Sequence, residues 1–166
     1  MDLYTIYRAV DGLDGVTVVL MGDLANTGTG RSLCYFLAKY SGVKLCLVSP
    51  KELAMRDDIV DYLGRNGVGF KSIHSPGAEL EEALRTADVV YQTDLPLKFK
   101  PSEGPPRKAF RIDRKMLDLR GPRAIIMHRL PRVDSIPPDV DKDPRAYYFQ
   151  QISNVLYISE VLMGPK

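Results

Sequence analysis

Cysteine and histidine are both scarce in this chain of 166 residues, with two of each. Cys34 and Cys46 sit in apolar contexts, Leu-Cys-Tyr-Phe and Leu-Cys-Leu-Val, and read as reduced core residues rather than a disulfide or a thiol nucleophile. Two separated histidines and two core cysteines cannot supply a zinc set, so no metal is expected. No Ser-His-Asp or Cys-His pattern follows from spacing, and no cofactor is expected. Long apolar runs are missing too. The longest, 16–21 and 124–127, are strand-sized, well short of the roughly 18–20 residues of a membrane span. Nor does one sign of charge dominate: 23 basic and 21 acidic side chains leave a net charge of +2, which gives no prior for nucleic acid as a partner. Met1-Asp2 opens directly into structured-looking sequence, so no signal or transit peptide is expected. The protein is therefore expected inside the cell, with cytosol, chloroplast and mitochondrion undistinguished.

What remains is ordinary globular composition, 45% hydrophobic and 27% charged, at a length suited to a single domain over 1–166. Short apolar runs alternate with amphipathic stretches, the pattern of a βαβ chain with a parallel sheet. Strands are expected at 16–21, 43–48, 68–73, 89–93 and 124–128. Helices are expected at 29–40, with Leu33, Phe36, Leu37 and Tyr40 on one face, at 51–63 after Ser49-Pro50, and at 79–85. The last helix, 143–163, has the clearest start signal: Asp143 as N-cap and Pro144 at the first helical position. The segment 98–115 carries Lys98, Lys100, Arg107, Lys108, Arg111, Arg114 and Lys115 among several prolines and reads as a solvated basic loop.

In an open parallel sheet, ligands collect beyond the carboxyl ends of the strands. Three segments leave strands there. Gly22-Asp23-Leu24-Ala25-Asn26-Thr27-Gly28-Thr29-Gly30 opens a helix, and Thr27, Thr29 and Gly30 form either an anion-binding turn or a tight turn with an N-cap. It lacks the third glycine of a dinucleotide fingerprint. Gln92-Thr93-Asp94-Leu95-Pro96 follows the fourth strand. His128-Arg129-Leu130-Pro131-Arg132 follows the fifth, where His128 either titrates and binds an anion or braces a turn. His74 falls in a loop and reads as solvated.

Taken together these segments resemble the C-terminal, aspartate-binding domain of aspartate carbamoyltransferase, of the plant and bacterial type. The likeness runs nearly end to end, through Gly22-Asp23-Leu24-Ala25-Asn26, Arg31-Ser32-Leu33, Leu47-Val48-Ser49-Pro50, Val89-Val90-Tyr91-Gln92-Thr93, Met127-His128, Leu130-Pro131-Arg132-Val133-Asp134 and Asp143-Pro144-Arg145-Ala146. The resemblance implies a Rossmann-like three-layer α/β fold with a five-stranded parallel sheet. It also implies half of a two-domain, trimeric enzyme joining carbamoyl phosphate to the aspartate amine, whose N-terminal domain, with its phosphate loop and catalytic histidine, is expected to be absent here.

The resemblance also shows where this sequence departs. Gly28 stands where the family has an arginine holding a substrate carboxylate. Asp94 replaces a second such arginine, and Pro96 replaces a glutamine. Arg129 replaces a proline, while Thr93, His128, Leu130, Pro131 and Arg132 are kept. At roughly 1.5–3 kcal/mol per lost charge-assisted hydrogen bond, two lost arginines weaken binding by about two to four orders of magnitude. A degenerate cleft with no catalytic residue is therefore expected. In the family the first and last helices bridge to the N-terminal domain. Tyr148, Ile152, Val155, Tyr157, Ile158 and Val161 on the last helix, together with the first helix at 2–10, are therefore expected to meet other protein subunits. Three roles compete: a non-catalytic interaction subunit, which is preferred; the C-terminal half of a split or excised carbamoyltransferase of pyrimidine biosynthesis; and a small-molecule sensor of unknown ligand. A weaker fourth is contact with RNA or an acidic surface through the basic segment 98–115.

Overall fold

The computed structural model describes residues 1–119 and 124–163, apart from the side chains of 159–163. Helix α1 (Asp2–Val10) leads into strand β1 (Thr17–Met21) and helix α2 (Gly28–Leu37). Strand β2 (Lys44–Val48), helix α3 (Asp57–Arg65), strand β3 (Gly69–Ile73), helix α4 (Ala78–Thr86) and strand β4 (Val89–Gln92) continue the alternation. A short helix α5 (Arg114–Asp118), strand β5 (Ile125–His128) and helix α6 (Tyr148–Met163) complete it. The five strands are all parallel, in the order β3-β2-β1-β4-β5.

The order reverses between β1 and β4, so the crevice beyond their carboxyl ends lies at a topological switch point. The inner strands are buried on both faces, as their continuous apolar sequence requires. On one face Val18, Leu20, Leu45, Tyr91 and Met127 pack against Ile6 of α1, Leu33 and Leu37 of α2, and Ile59 and Leu63 of α3. On the other, Val19, Met21, Val48, Val90 and Ile126 pack against Leu80 and Leu84 of α4, Phe110, Leu117 of α5 and Tyr148. Cys34 and Cys46 are both free and buried, and burial pushes the Cys34 thiol up to about 12. Among the described residues no helix is long and apolar enough to cross a membrane.

Each expected strand is present to within a residue, but several other expectations need correction. The helix expected over 51–63 is a 3-10 turn, Lys51–Leu53, followed by extended backbone and then α3. The Leu53 carbonyl accepts the N–H groups of Leu24 and Ala25, which ends the turn, and Asp57 and Asp58 then restart a helix against its positive end. Phe36 is half exposed; the inward face of α2 is Gly30, Leu33, Cys34 and Leu37. Helix α6 begins at Tyr148 and not at Asp143. The Asp143 carboxylate is instead forked onto Arg145, and residues 145–147 pair with the edge of β5 through Ile126. The basic segment is only partly solvated, because it folds over its second half into the 3-10 turn Arg107–Phe110 and α5, burying Phe110, Ile112 and Leu117.

Candidate functional site

Strands β1 and β4 leave the sheet in contact. Gly22 takes φ +121, and a β-carbon on it would lie 2.1 Å from the Thr93 carbonyl oxygen, so only glycine allows the approach. Thr93 is buried and its hydroxyl spans the carbonyls of Met21 and Asp23 at 3.2 and 3.3 Å. The Asp23 carboxylate in turn accepts the backbone N–H and side-chain amide of Asn26, and the Thr27 hydroxyl donates to the Asp23 carbonyl. At this segment, read either as an anion-binding turn or as a tight turn with an N-cap, α2 starts with no side-chain cap on its first N–H groups. Thr27 has its hydroxyl occupied, Gly28 is already the first residue of α2, and Gly30 is buried inside that helix.

Asp94 is the most heavily bonded group in the crevice. Its carboxylate accepts the N–H of Val133 at 3.1 Å and those of Asp134 and Ser135 at 3.4 and 3.2 Å. It also lies 3.4 Å from His128 Nε2. Burial would raise this carboxyl, but hydrogen bonds from His128, Ser135 and Val133 outweigh burial and hold it well below the usual carboxylate range. His128 is almost fully buried. Its Nδ1 accepts the Leu130 N–H at 2.9 Å, so the neutral ring carries its proton on Nε2, facing Asp94 and, at 3.1 Å, the Ser135 hydroxyl. Serine, histidine and aspartate therefore meet, but Ser135 and Asp94 share one ring nitrogen and Ser135 is 2% exposed. This arrangement braces a loop; it is not a nucleophile relay.

Leu130 stands at φ 39, ahead of a cis bond to Pro131. Arg132 does not face the crevice. It forks onto Asp141, with Nη2 2.6 Å from Oδ2, and its Nη1 donates to the Tyr148 hydroxyl at 3.0 Å. Arg107, read from the sequence only as one charge in a basic loop, proves to belong here. It donates to the carbonyls of Leu95 and Pro96 and forks onto Asp134, tying the exit of β4 to the loop after β5. Ser135 was likewise missed, and no local signal marks either residue, since their partners lie on other loops. Arg129 is the exposed cation at the crevice mouth, with Nη1 3.5 Å from the Thr29 hydroxyl at the start of α2. Beside it Gly28 offers no side chain, and nothing lies within 4 Å of where its β-carbon would stand. Among the described residues no cluster of three metal-ligating side chains is present.

On α6 the expected contact face is partly wrong. Tyr148 is fully buried among the core residues and held at its hydroxyl by Asp141 and Arg132, so it cannot meet a partner. Ile152, Val155 and Tyr157 are exposed, as are Phe149 and Leu156. Ile158 is half-buried, Tyr157 stacks on Tyr4 of α1 at 6.0 Å, and the Val161 side chain lies outside the described residues. His74 is half-buried and bonded through Nδ1 to the Ser49 carbonyl, where a solvated ring was expected.

The family pattern described as "Aspartate/ornithine carbamoyltransferase, Asp/Orn binding domain" matches residues 14–164. The chain is 43% identical to the chloroplastic aspartate carbamoyltransferase of Arabidopsis thaliana, over 98% of this chain and 42% of that protein. It is 38% identical to the aspartate carbamoyltransferase catalytic subunit of Aliivibrio salmonicida, over 99% of this chain and 52% of that one. Among solved structures, the catalytic subunit of M. jannaschii aspartate transcarbamoylase superposes with a TM-score of 0.78 at 36% identity, covering 90% of this chain and 48% of that one. The Trypanosoma cruzi enzyme in complex with N-(phosphonacetyl)-L-aspartic acid matches with the same TM-score at 31% identity, covering 92% and 47%. The chain thus spans about half the length of the relatives it matches. With that match over residues 14–164, it belongs to the aspartate/ornithine carbamoyltransferases and carries their Asp/Orn-binding domain.

Proposed function

We propose that this domain is a non-catalytic, protein-binding subunit of a larger assembly, and that the chain does not by itself transfer a carbamoyl group to aspartate. Asp94 carries this reading. Where the family resemblance implies an arginine fork for a substrate carboxylate, this chain has a carboxylate whose oxygens are committed to three backbone N–H groups and His128. The position is part of the loop's internal bonding and is not free for a ligand. A dianionic substrate would meet a negative group at Asp94 and a bare backbone at Gly28.

The exposed side of α6 supports the other half of the reading. Phe149, Ile152 and Leu156 recur at i, i+3 and i+7 and are 51%, 44% and 67% exposed, a stripe of the kind that meets another protein. Two measurements test the proposal. Calorimetric titration with L-aspartate and N-(phosphonacetyl)-L-aspartic acid should give no saturable heat, and binding tighter than about 100 μM would overturn it. The endogenous protein should run as a stable large assembly, with its companions identified by mass spectrometry. A lone 18.6 kDa monomer would remove the subunit role.

A second reading, the C-terminal half of an aspartate carbamoyltransferase, draws on the retained His128-Leu130-Pro131 turn and on the 42% coverage of the Arabidopsis protein. Co-purification with a transcarbamoylase N-terminal half, and carbamoyl transfer by the pair, would establish it.

A further inference from the structure

Strands β2 and β3 end side by side, with Val48 paired to Ile73, and the chain leaves them through Pro50 and His74. Beyond these ends lies a cavity of about 310 Å³ that uses Pro50, Lys51, His74, Glu103, Pro105 and Phe110 as walls. None of Gly28, Thr93, Asp94, His128 or Arg129 borders it, so it is separate from the crevice at the switch point. The geometry points to a binding site here for a free α-amino acid with an apolar side chain.

The walls are held in place. The Glu52 carboxylate accepts the Ser102 N–H at 2.8 Å, fastening the 101–105 segment to the 3-10 turn that presents Lys51. Gly104, at φ +94, turns the chain where a side chain would be strained. The part-exposed rings of Pro101 and Pro105 supply an apolar surface, with Phe110, 1% exposed, packed behind it. The polar groups are few and differ in kind. His74 Nδ1 lies 2.9 Å from the Ser49 carbonyl, which can only accept, so Nδ1 carries the proton. In the neutral ring Nε2 is then an acceptor, with no hydrogen bond to it among the described residues. Lys51 and Glu103 bring opposite charges to the rim, and among the described residues they form no ion pair with each other.

A simple anion would be opposed by Glu103, and a simple cation by Lys51. A wholly apolar ligand would strip water from His74 Nε2 without replacing it. A zwitterion meets all three conditions: its carboxylate pairs with Lys51, its ammonium donates to Glu103 and His74, and its side chain rests on the prolines. The volume is at the low end of the roughly 300–1,000 Å³ typical of small-molecule sites, which suits an amino acid better than a nucleotide.

The test is a ¹⁵N–¹H NMR titration of the whole chain with L-leucine and L-phenylalanine. Saturable shifts are expected at Lys51, His74 and 101–110. Glu103→Gln and Lys51→Met, both at exposed positions, should each weaken the response about fivefold, equivalent to roughly 1 kcal/mol. N-acetyl-L-phenylalanine and L-phenylalaninamide, each lacking one charge, should be weakened to a similar extent. No saturable change up to about 20 mM of either amino acid would overturn the site. So would shifts centred on Asp94 and His128, or an affinity in both variants unchanged from that of the parent chain.

Discussion

A single carboxylate decides most of what the crevice can do. Asp94 caps three consecutive N–H groups of the loop after β5. Asp94→Asn, which keeps the shape and loses the charge, should therefore destabilise the chain by roughly 1.5–3 kcal/mol at neutral pH in urea unfolding. The pH dependence has a definite sign. A carboxyl lowered in the folded state contributes stability above its ordinary value, about 3.9, and loses it as pH falls towards the folded value. Asp143, brought down to about 2 chiefly by its fork with Arg145, acts in the same direction. Unfolding midpoints should fall as pH drops below about 4, and Asp94→Asn should flatten that fall. The identity of Asp94 is plain in the sequence; its role is not, because its partners lie about forty positions further on and nothing local to Gln92-Thr93-Asp94 announces them. Arg107 is the same case with the sign reversed, a charge assigned to solvent by its neighbours and claimed by carbonyls on another loop.

The elements were legible where periodicity and burial agree. Strands β1, β4 and β5 follow from their apolar runs, because a strand buried on both faces leaves a continuous signature that tertiary contacts reinforce, whereas the edge strand β3 is mostly exposed. The boundaries went astray where distant backbone groups compete for the same chain. Asp143-Pro144 has the chemistry of a helix start, yet pairing of 145–147 with the edge of β5 holds the chain extended until Tyr148. The glycines of α2, read either as an anion-binding turn or as a tight turn with an N-cap, adopt ordinary helical backbone. Gly30 has nothing nearer than the Thr27 methyl, 4.0 Å from where its β-carbon would stand. Gly30→Ala should therefore fit without strain and raise stability by about 0.4–1 kcal/mol, measured as a higher midpoint in denaturant. A loss instead would show that the position needs glycine for close contact.

At the scale of the whole molecule, the crevice loops are fastened together while the outward stripe of α6 is left without cover. Ile152→Lys and Leu156→Lys should change the stability of the isolated chain by less than about 0.5 kcal/mol, because both side chains are exposed. Under the proposed subunit role, the same changes should release the protein from the assembly, as seen in native mass after expression in place of the natural chain. Survival of the assembly in the double variant would move the contact elsewhere on the surface. Helix α6 also governs the other end of the chain. The side-chain amide of Gln151 donates to Asp2, and that of Asn154 to Thr5, across 149 positions of sequence. These are bonds that cannot form until α6 itself has been made. Until α6 docks, α1 has from the sheet only the Tyr91 hydroxyl on Asp2 and the packing of Ile6, and a nick that removes α6 strips two of the side-chain bonds that hold it.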